Sequence, residues 1–311
     1  MNNLLWYILA FLVFPGLLFT SVFGLVVTWV DRKVSARVQW RAGPPFLQPF
    51  YDFFKLWHKE LLIPSAGKKA GFLFAPLLGL TATTLLATII GVTNIDPEFR
   101  FVGDVVVIMY LMILPPLSIV WGGFASGNPL SILGASREIK LMLGYELPFI
   151  IAVATVLFKV GTFSLGDIIQ YQQVNGVLLT QPSMILAFVV ALLCLQAKLG
   201  QVPFDIAEAE CEIMEGPLLE YSGPALGIFK LMQAMLYVVV PWFIISLFWG
   251  GTSFHEWGIL WSLLKYLVVV VIVVLIKNTN PRIRIDQAMK FFWSWATLLA
   301  VVAMILMFLG Y

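Results

Sequence analysis

Six of the chain's 17 carboxylates fall within residues 201–223: Asp205, Glu208, Glu210, Glu212, Glu215 and Glu220. No Lys or Arg occurs between Lys198 and Lys230 to neutralise them in sequence. Pro203 ends whatever precedes it, and Asp205 with Glu208 has capping-box-like spacing for a new short helix. A helix over 205–215 would place Asp205, Glu208, Glu212 and Glu215 on one face, with Glu210 elsewhere. Helix neighbours at that spacing are about 5–6 Å apart. Like charges that close cannot all stay ionised in a low dielectric, so they would titrate as a coupled set. Carboxylates able to take and release protons are what a proton relay requires. The plain alternative is a solvated acidic loop that docks on a basic partner surface. Gly216-Pro217 stops the helix, and Glu220 leads on through Tyr221-Ser222-Gly223-Pro224.

Other ionisable groups are candidates because they sit at membrane depth. Glu146 lies at the mouth of an apolar stretch, in Gly144-Tyr145-Glu146-Leu147-Pro148. Asp104 starts another, where a helix-end role is equally natural, and Lys265 lies within a third, free to snorkel or to pair with Glu256. Two cysteines, Cys194 and Cys211, are too few for a disulfide framework, and two distant histidines, His58 and His255, argue against a histidine-based metal site. No P-loop, dinucleotide fingerprint, Cys-x-x-Cys pair or nucleophile elbow is present. The chain is expected to hold no cofactor or metal of its own and to bind no nucleic acid.

The elements that must position these groups are membrane helices. The chain is 60% hydrophobic and 12% charged, with a mean hydropathy of +0.94, whereas about a quarter of the residues of a soluble domain are charged. A span needs about 20 apolar residues. Eight stretches qualify: 4–30, 72–93, 102–124, 146–165, 182–200, 225–249, 258–277 and 290–310. The first is too long for a cleavable signal's apolar region and lacks a preceding basic segment, so it is read as a retained span. Of 19 basic residues, 16 fall in or beside the segments 31–71, 125–145, 201–224 and 278–289. The excess of positive charge makes these the cytoplasmic loops and puts both termini outside. The predicted fold is thus an all-α polytopic membrane protein forming a single transmembrane domain over 1–311.

Within the first loop, Phe50, Phe53, Phe54, Trp57 and Leu61 recur at helical spacing, with Asp52, Lys55 and Lys59 opposite. This predicts an amphipathic helix in the interface plane, either a membrane-surface anchor or a wall over a nearby site. Arg41-Ala42-Gly43-Pro44-Pro45 forces the turn before it.

Four blocks together resemble the H-subunit family of respiratory complex I and of its relatives, the membrane-bound group 4 nickel–iron hydrogenases and formate hydrogenlyase. They are Asp31-Arg32-Lys33 with Gln39-Trp40-Arg41-Ala42-Gly43-Pro44; Leu133-Gly134-Ala135-Ser136-Arg137-Glu138 with Gly144-Tyr145-Glu146-Leu147-Pro148; Pro203-Phe204-Asp205-Ile206-Ala207-Glu208-Ala209-Glu210 with Glu220-Tyr221-Ser222-Gly223; and Pro281-Arg282-Ile283-Arg284-Ile285-Asp286-Gln287. The resemblance implies a subunit that anchors a cytoplasmic redox arm and passes the energy of electron transfer to antiporter-like subunits. It implies an acidic path through Glu146, Asp205, Glu208, Glu210, Glu212 and Glu220, with Glu215 resembling the hydrogenase branch. Iron–sulfur clusters and a nickel–iron (NiFe) centre would sit in partners: an iron–sulfur small subunit and a hydrogenase-like large subunit. Small membrane subunits and the lipid bilayer complete the expected surroundings. Arg32, Arg37, Arg41, Arg137, Arg282 and Arg284 are candidates for arm docking or for pairing with the acids, beside the simpler role of setting orientation.

Two departures favour the hydrogenase branch. Quinone-reducing members carry Glu-Thr-Asn-Arg before Pro-Phe-Asp, where this chain has Lys198-Leu199-Gly200-Gln201-Val202. Their Gly-Tyr after the acidic segment is Gly216-Pro217 here. The expected role is ion translocation driven by ferredoxin-linked or formate-linked electron transfer, with the electrons ending on protons or, in a close relative, on sulfur compounds. A quinone site or a stand-alone transporter is the alternative.

Overall fold

The computed structural model describes residues 2–65, 67–98, 103–253 and 257–310, and of residues 2–4, 210 and 211 the backbone alone. Arg100, His255 and Glu256 lie outside the described residues, as do the side chains of Glu210 and Cys211. Among the described residues all regular structure is helical. Among the same residues seven helices are long and apolar enough to cross a membrane, and Pro182–Lys198 is a shorter apolar one, which together match the eight expected spans.

The first span is two pieces, α1 (Asn2–Leu12) and α2 (Leu17–Val38), broken where Pro15 has no N–H to donate. The short helix α3 (Gln48–Trp57) follows, as its amphipathic pattern predicts, and then α4 (Lys69–Ile95). The third span is again divided, into α5 (Asp104–Leu111) and α6 (Leu114–Ser126), at Pro115-Pro116. Next comes α7 (Pro129–Val160), and here the expected loop 125–145 is corrected. Asn128 caps α7, its Oδ1 accepting from the Leu130 N–H at 2.9 Å, and Pro129 takes the first helical position. The charges of Arg137, Glu138 and Lys140 disguised a helix that runs 17 residues ahead of the apolar stretch expected to begin at 146. After α7 come α8 (Leu165–Asn175) and α9 (Pro182–Lys198), then the four-residue α10 (Glu210–Ile213). The chain closes with α11 (Gly223–Phe248), α12 (Trp257–Thr279), α13 (Ile285–Lys290) and α14 (Thr297–Phe308), a π-helical turn over Phe291–Ala296 joining the last two.

The helix α11 is the axis of the bundle. Beyond Lys230 and Gln233 near its start it is almost wholly apolar, and Phe229, Met232, Met235, Val239, Phe243, Ile244 and Ile245 are buried without exposure, the signature of a core helix. The ends of α2, α9 and α12 and the starts of α4, α7 and α11 meet at one end of the bundle, with α3 beside them; this basic end also carries the acidic loop. The opposite end is locked by neutral groups. Asn94 Nδ2 donates to Ser246 Oγ at 2.8 Å, and its Oδ1 accepts from the Thr252 N–H at 2.9 Å. Gln172 Nε2 donates to the Leu247 carbonyl at 3.0 Å, and its Oε1 accepts from the Gly250 N–H at 2.9 Å.

Candidate functional site: an acidic loop at the basic end of the bundle

The helix expected over 205–215 is not formed; only 210–213 is helical. Residues 204–209 are irregular, with turns closed by Phe204 N–H to the Gln201 carbonyl and Ile206 N–H to the Phe204 carbonyl, both 2.9 Å. Past α10, Met214 and Gly216 take positive φ values of 57° and 54°. Gly216 is required there: a Cβ on it would meet the Ala207 carbonyl oxygen at 1.9 Å. The next residue, Pro217, packs on Gly134 of α7, where a Cβ would meet Pro217 Cδ at 2.6 Å. The loop is thus pinned by close backbone approach, and Phe204 nails its start, its ring 4.7 Å from that of Phe292.

The irregular path separates acids that a helix would have aligned, and Asp205, Glu208, Glu212 and Glu220 each meet a separate donor. Asp205 Oδ2 accepts from Arg282 Nη2 at 2.6 Å, and Glu212 Oε2 from Arg137 Nη1 at 2.5 Å. Glu208 accepts from Gln233 Nε2 at 2.8 Å and lies 3.9 Å from Lys230 Nζ. Glu220 accepts from Asn128 Nδ2 at 2.6 Å, and Glu215 is exposed. The loop that lacks cations in sequence obtains them from other elements. The common face for Asp205, Glu208, Glu212 and Glu215 is therefore corrected.

Glu146 is held by Lys198. Lys198 Nζ donates to both Glu146 oxygens, at 3.0 and 2.7 Å, and lies 4.9 and 4.4 Å from the Tyr145 and Phe149 ring centroids. The Lys198 side chain is 4% exposed. A buried cation and carboxylate this close compensate each other's lost hydration.

Four cavities surround these groups. A chamber of about 40 Å³, enough for at least one water, is walled by Glu138, Lys198, Asp205, Glu208 and Gln233. It shares Leu199, Gly200, Glu208 and Gln233 with a larger cavity of about 620 Å³ between α2, α3 and α11, which adds Asp31, Arg32, Asp52, Lys230 and Lys277. A charged groove of about 380 Å³ carries Arg137, Asp205, Glu212, Arg282, Arg284 and Asp286. On the flank of the bundle, Glu146 opens on a groove of about 250 Å³ between α5 and α7, otherwise lined by apolar residues and Tyr110.

The remaining predicted residues are dispersed. Arg32 pairs with Asp52 of α3 at 2.7 Å. Burial opposes the Asp52 charge, but hydrogen bonds from Arg32 and Gln48, with the charges of Arg32 and Lys55, outweigh it and hold the carboxyl below its ordinary value. Arg37, Arg41 and Arg284 are exposed. Asp104 and Lys265 lie at the opposite end, where they tie backbone. Asp104 Oδ1 accepts from the Leu165 N–H at 2.7 Å, and Lys265 Nζ donates to the Trp249 carbonyl at 2.8 Å. The expected Lys265 partner, Glu256, is outside the described residues.

Sequence reasoning missed Glu138, Gln233, the Asp31–Lys277 pair at 2.8 Å and the part of Lys198. Glu138 was legible: it precedes Tyr145 by seven residues, which puts both on one side of a helix. The others come together across 52 residues for Lys198 with Glu146 and 246 for Asp31 with Lys277, and no local signal reports that.

Residues 9–308 match the NADH dehydrogenase family. The NADH-quinone oxidoreductase H-subunit of Dehalococcoides mccartyi (strain CBDB1) is 33% identical over 93% of this chain and 82% of its own. That of Geobacillus thermodenitrificans is 32% identical over 94% and 91%, and that of Thermomicrobium roseum 35% over 86% and 85%. Among solved structures, a chain of the membrane-bound sulfane sulfur reductase, an archaeal respiratory membrane complex, is 30% identical with a TM-score of 0.85, covering 93% of this chain and 96% of that one. With eight apolar helices and an acidic loop pinned at their basic end, the chain belongs to the NADH dehydrogenase family and is a membrane subunit of the complex I-like kind.

Proposed function

We propose that this subunit couples electron transfer in a docked redox arm to ion translocation through its carboxylates. The observation that carries the reading is one connected set of ionisable groups. Asp205 and Glu208 face the chamber with Glu138 and Lys198, and Lys198 in turn holds Glu146, which opens on the flank of the bundle. A charge change near the loop alters the field on all of them, and protons redistribute along the set. The flank groove is where a neighbouring pump subunit would receive the effect.

The arm would dock on the basic end, taken as cytoplasmic, over Arg137, Arg282 and Arg284 and the exposed Arg37 and Arg41. That arm would carry iron–sulfur clusters in a small subunit and, where the terminal acceptor is protons, a nickel–iron centre in a hydrogenase-like large subunit. Lys198 and Gly216-Pro217, at the positions that depart from the quinone-reducing pattern, favour the ferredoxin-linked or formate-linked branch.

The test is redox-driven ion uptake by inverted membrane vesicles holding the intact complex. Glu146→Gln and Glu208→Gln should each lower uptake per electron by about tenfold or more, a usual cost for removing a positioned proton-transfer group. Unchanged uptake in both would make the chain a passive anchor. A second reading, a quinone site, is favoured by the 620 Å³ cavity behind α3 and by the relatives' names. The charges of Asp31, Arg32, Asp52, Lys230 and Lys277 on its wall suit an apolar quinone tail poorly. Tight competitive binding of a quinone-tail analogue at α3 would restore it.

A further inference from the structure

Lys198 links the loop chamber to the flank groove. It is a wall of the chamber that holds Glu138, Asp205 and Glu208, yet its ammonium is spent on Glu146, which lines the groove beyond. The rings of Tyr145 and Phe149 cradle that ammonium, and cation–π attraction adds to the ion pair. Glu138 has no ion-pair partner among the described residues. It precedes Glu146 by eight residues on α7, about 12 Å along the helix, and a lysine carries its charge on a flexible four-carbon stem.

The charged and titratable groups facing Lys198 are few. From α7 they are Glu138, Tyr145 and Glu146, from the loop Asp205 and Glu208, and one turn back on α9 is Cys194. The other chamber walls are neutral: Gln233 and Leu236 of α11, Pro116 and Ile119 of α6. An ammonium seated on Glu146 engages both of its carboxyl oxygens, at 3.0 and 2.7 Å, and stands between them and a proton arriving from the chamber. Turned toward the chamber, the same ammonium would meet Glu138, with Asp205 and Glu208 already held by Arg282 and by Gln233 and Lys230, and would leave the oxygens of Glu146 free to take a proton.

We propose that Lys198 is the gate of the carboxylate path, closed with its ammonium on Glu146 and open with its ammonium on the chamber carboxylates. The gate rests on the path proposed above. Lys198 is a positioning residue: it transfers no proton but decides when Glu146 can take one.

The experiment uses vesicles holding the intact complex with an imposed pH gradient and no electron donor. Wild-type vesicles should hold the gradient. Lys198→Met, which leaves Glu146 without its cation, should dissipate it about tenfold faster or more, the scale of a freed proton-transfer group. Lys198→Arg should hold it, and Lys198→Met/Glu146→Gln should hold it again. A Lys198→Met complex that keeps the gradient as the wild type does overturns the gate. If Glu146→Gln still abolishes redox-driven uptake, the path survives that failure; if Glu146→Gln leaves uptake intact, the path itself is lost. Should Lys198→Met not assemble, carboxyl infrared spectra of the full chain in lipid nanodiscs decide with Lys198→Gln. A protonated-carboxyl band that Glu146→Gln removes supports the gate, and no such band overturns it.

Discussion

At the residue scale, the acids of the loop differ in what holds them, and their variants should differ accordingly. Asp205 has a side chain only 16% exposed against Arg282 at 40%. Arg282→Ala therefore strips a cation from a mostly buried carboxylate and should lower stability by about 1–3 kcal/mol. Arg284, two residues on and exposed, should change stability by less than about 0.5 kcal/mol as Arg284→Ala. Thermal unfolding of both in detergent micelles checks the contrast; equal effects would mean that the ion pair does not hold the loop. The contrast could not be read from the sequence, where Arg282 and Arg284 alternate in one basic segment. Glu146 was legible, because a glutamate at the mouth of an apolar stretch is costly enough to need a reason. Its partner was not: Lys198 looked like a flanking charge, and only packing of α9 against α7 brings the two together.

At the scale of elements, the spans and α3 were legible because apolar length and helical periodicity are local properties. The acidic segment misled for a physical reason. Spacing describes a helix only if the backbone stays helical, and backbone contacts at Gly216 and Pro217 override the local preference of 205–209. This makes Gly216 a stringent position. Gly216→Ala must relieve a 1.9 Å clash with the Ala207 carbonyl at a φ of 54°. The left-handed conformation alone costs an alanine about 1–2 kcal/mol, so the total should exceed about 2 kcal/mol. Loss of that much stability, or release of the 201–222 segment to limited proteolysis, is the expected result; a variant as stable as the parent would show that the loop has room to move aside.

At the scale of the whole molecule, the basic end gathers most of the charge, while the other end is held mainly by neutral hydrogen bonds, with Asp104 and Lys265 tying backbone beside them. Charge asymmetry predicts the orientation, and single cysteines in a Cys211→Ser background test it. Arg41→Cys and Lys140→Cys should react with an impermeant thiol reagent from the cytoplasmic side, Thr180→Cys and Ser253→Cys only from the other. The reverse pattern would invert the molecule and put the acidic loop out of reach of a cytoplasmic redox arm. The neutral lock of Asn94, Gln172, Ser246 and Thr252 has a mechanical consequence. None of these four groups gains or loses a proton near neutral pH, so their hydrogen bonds need no particular protonation state to persist. The bundle is then expected to act as a beam held at one end, so that hydrogen exchange altered by reduction of a docked arm should be confined to the helix ends beside the loop and spare those beside Asn94 and Gln172.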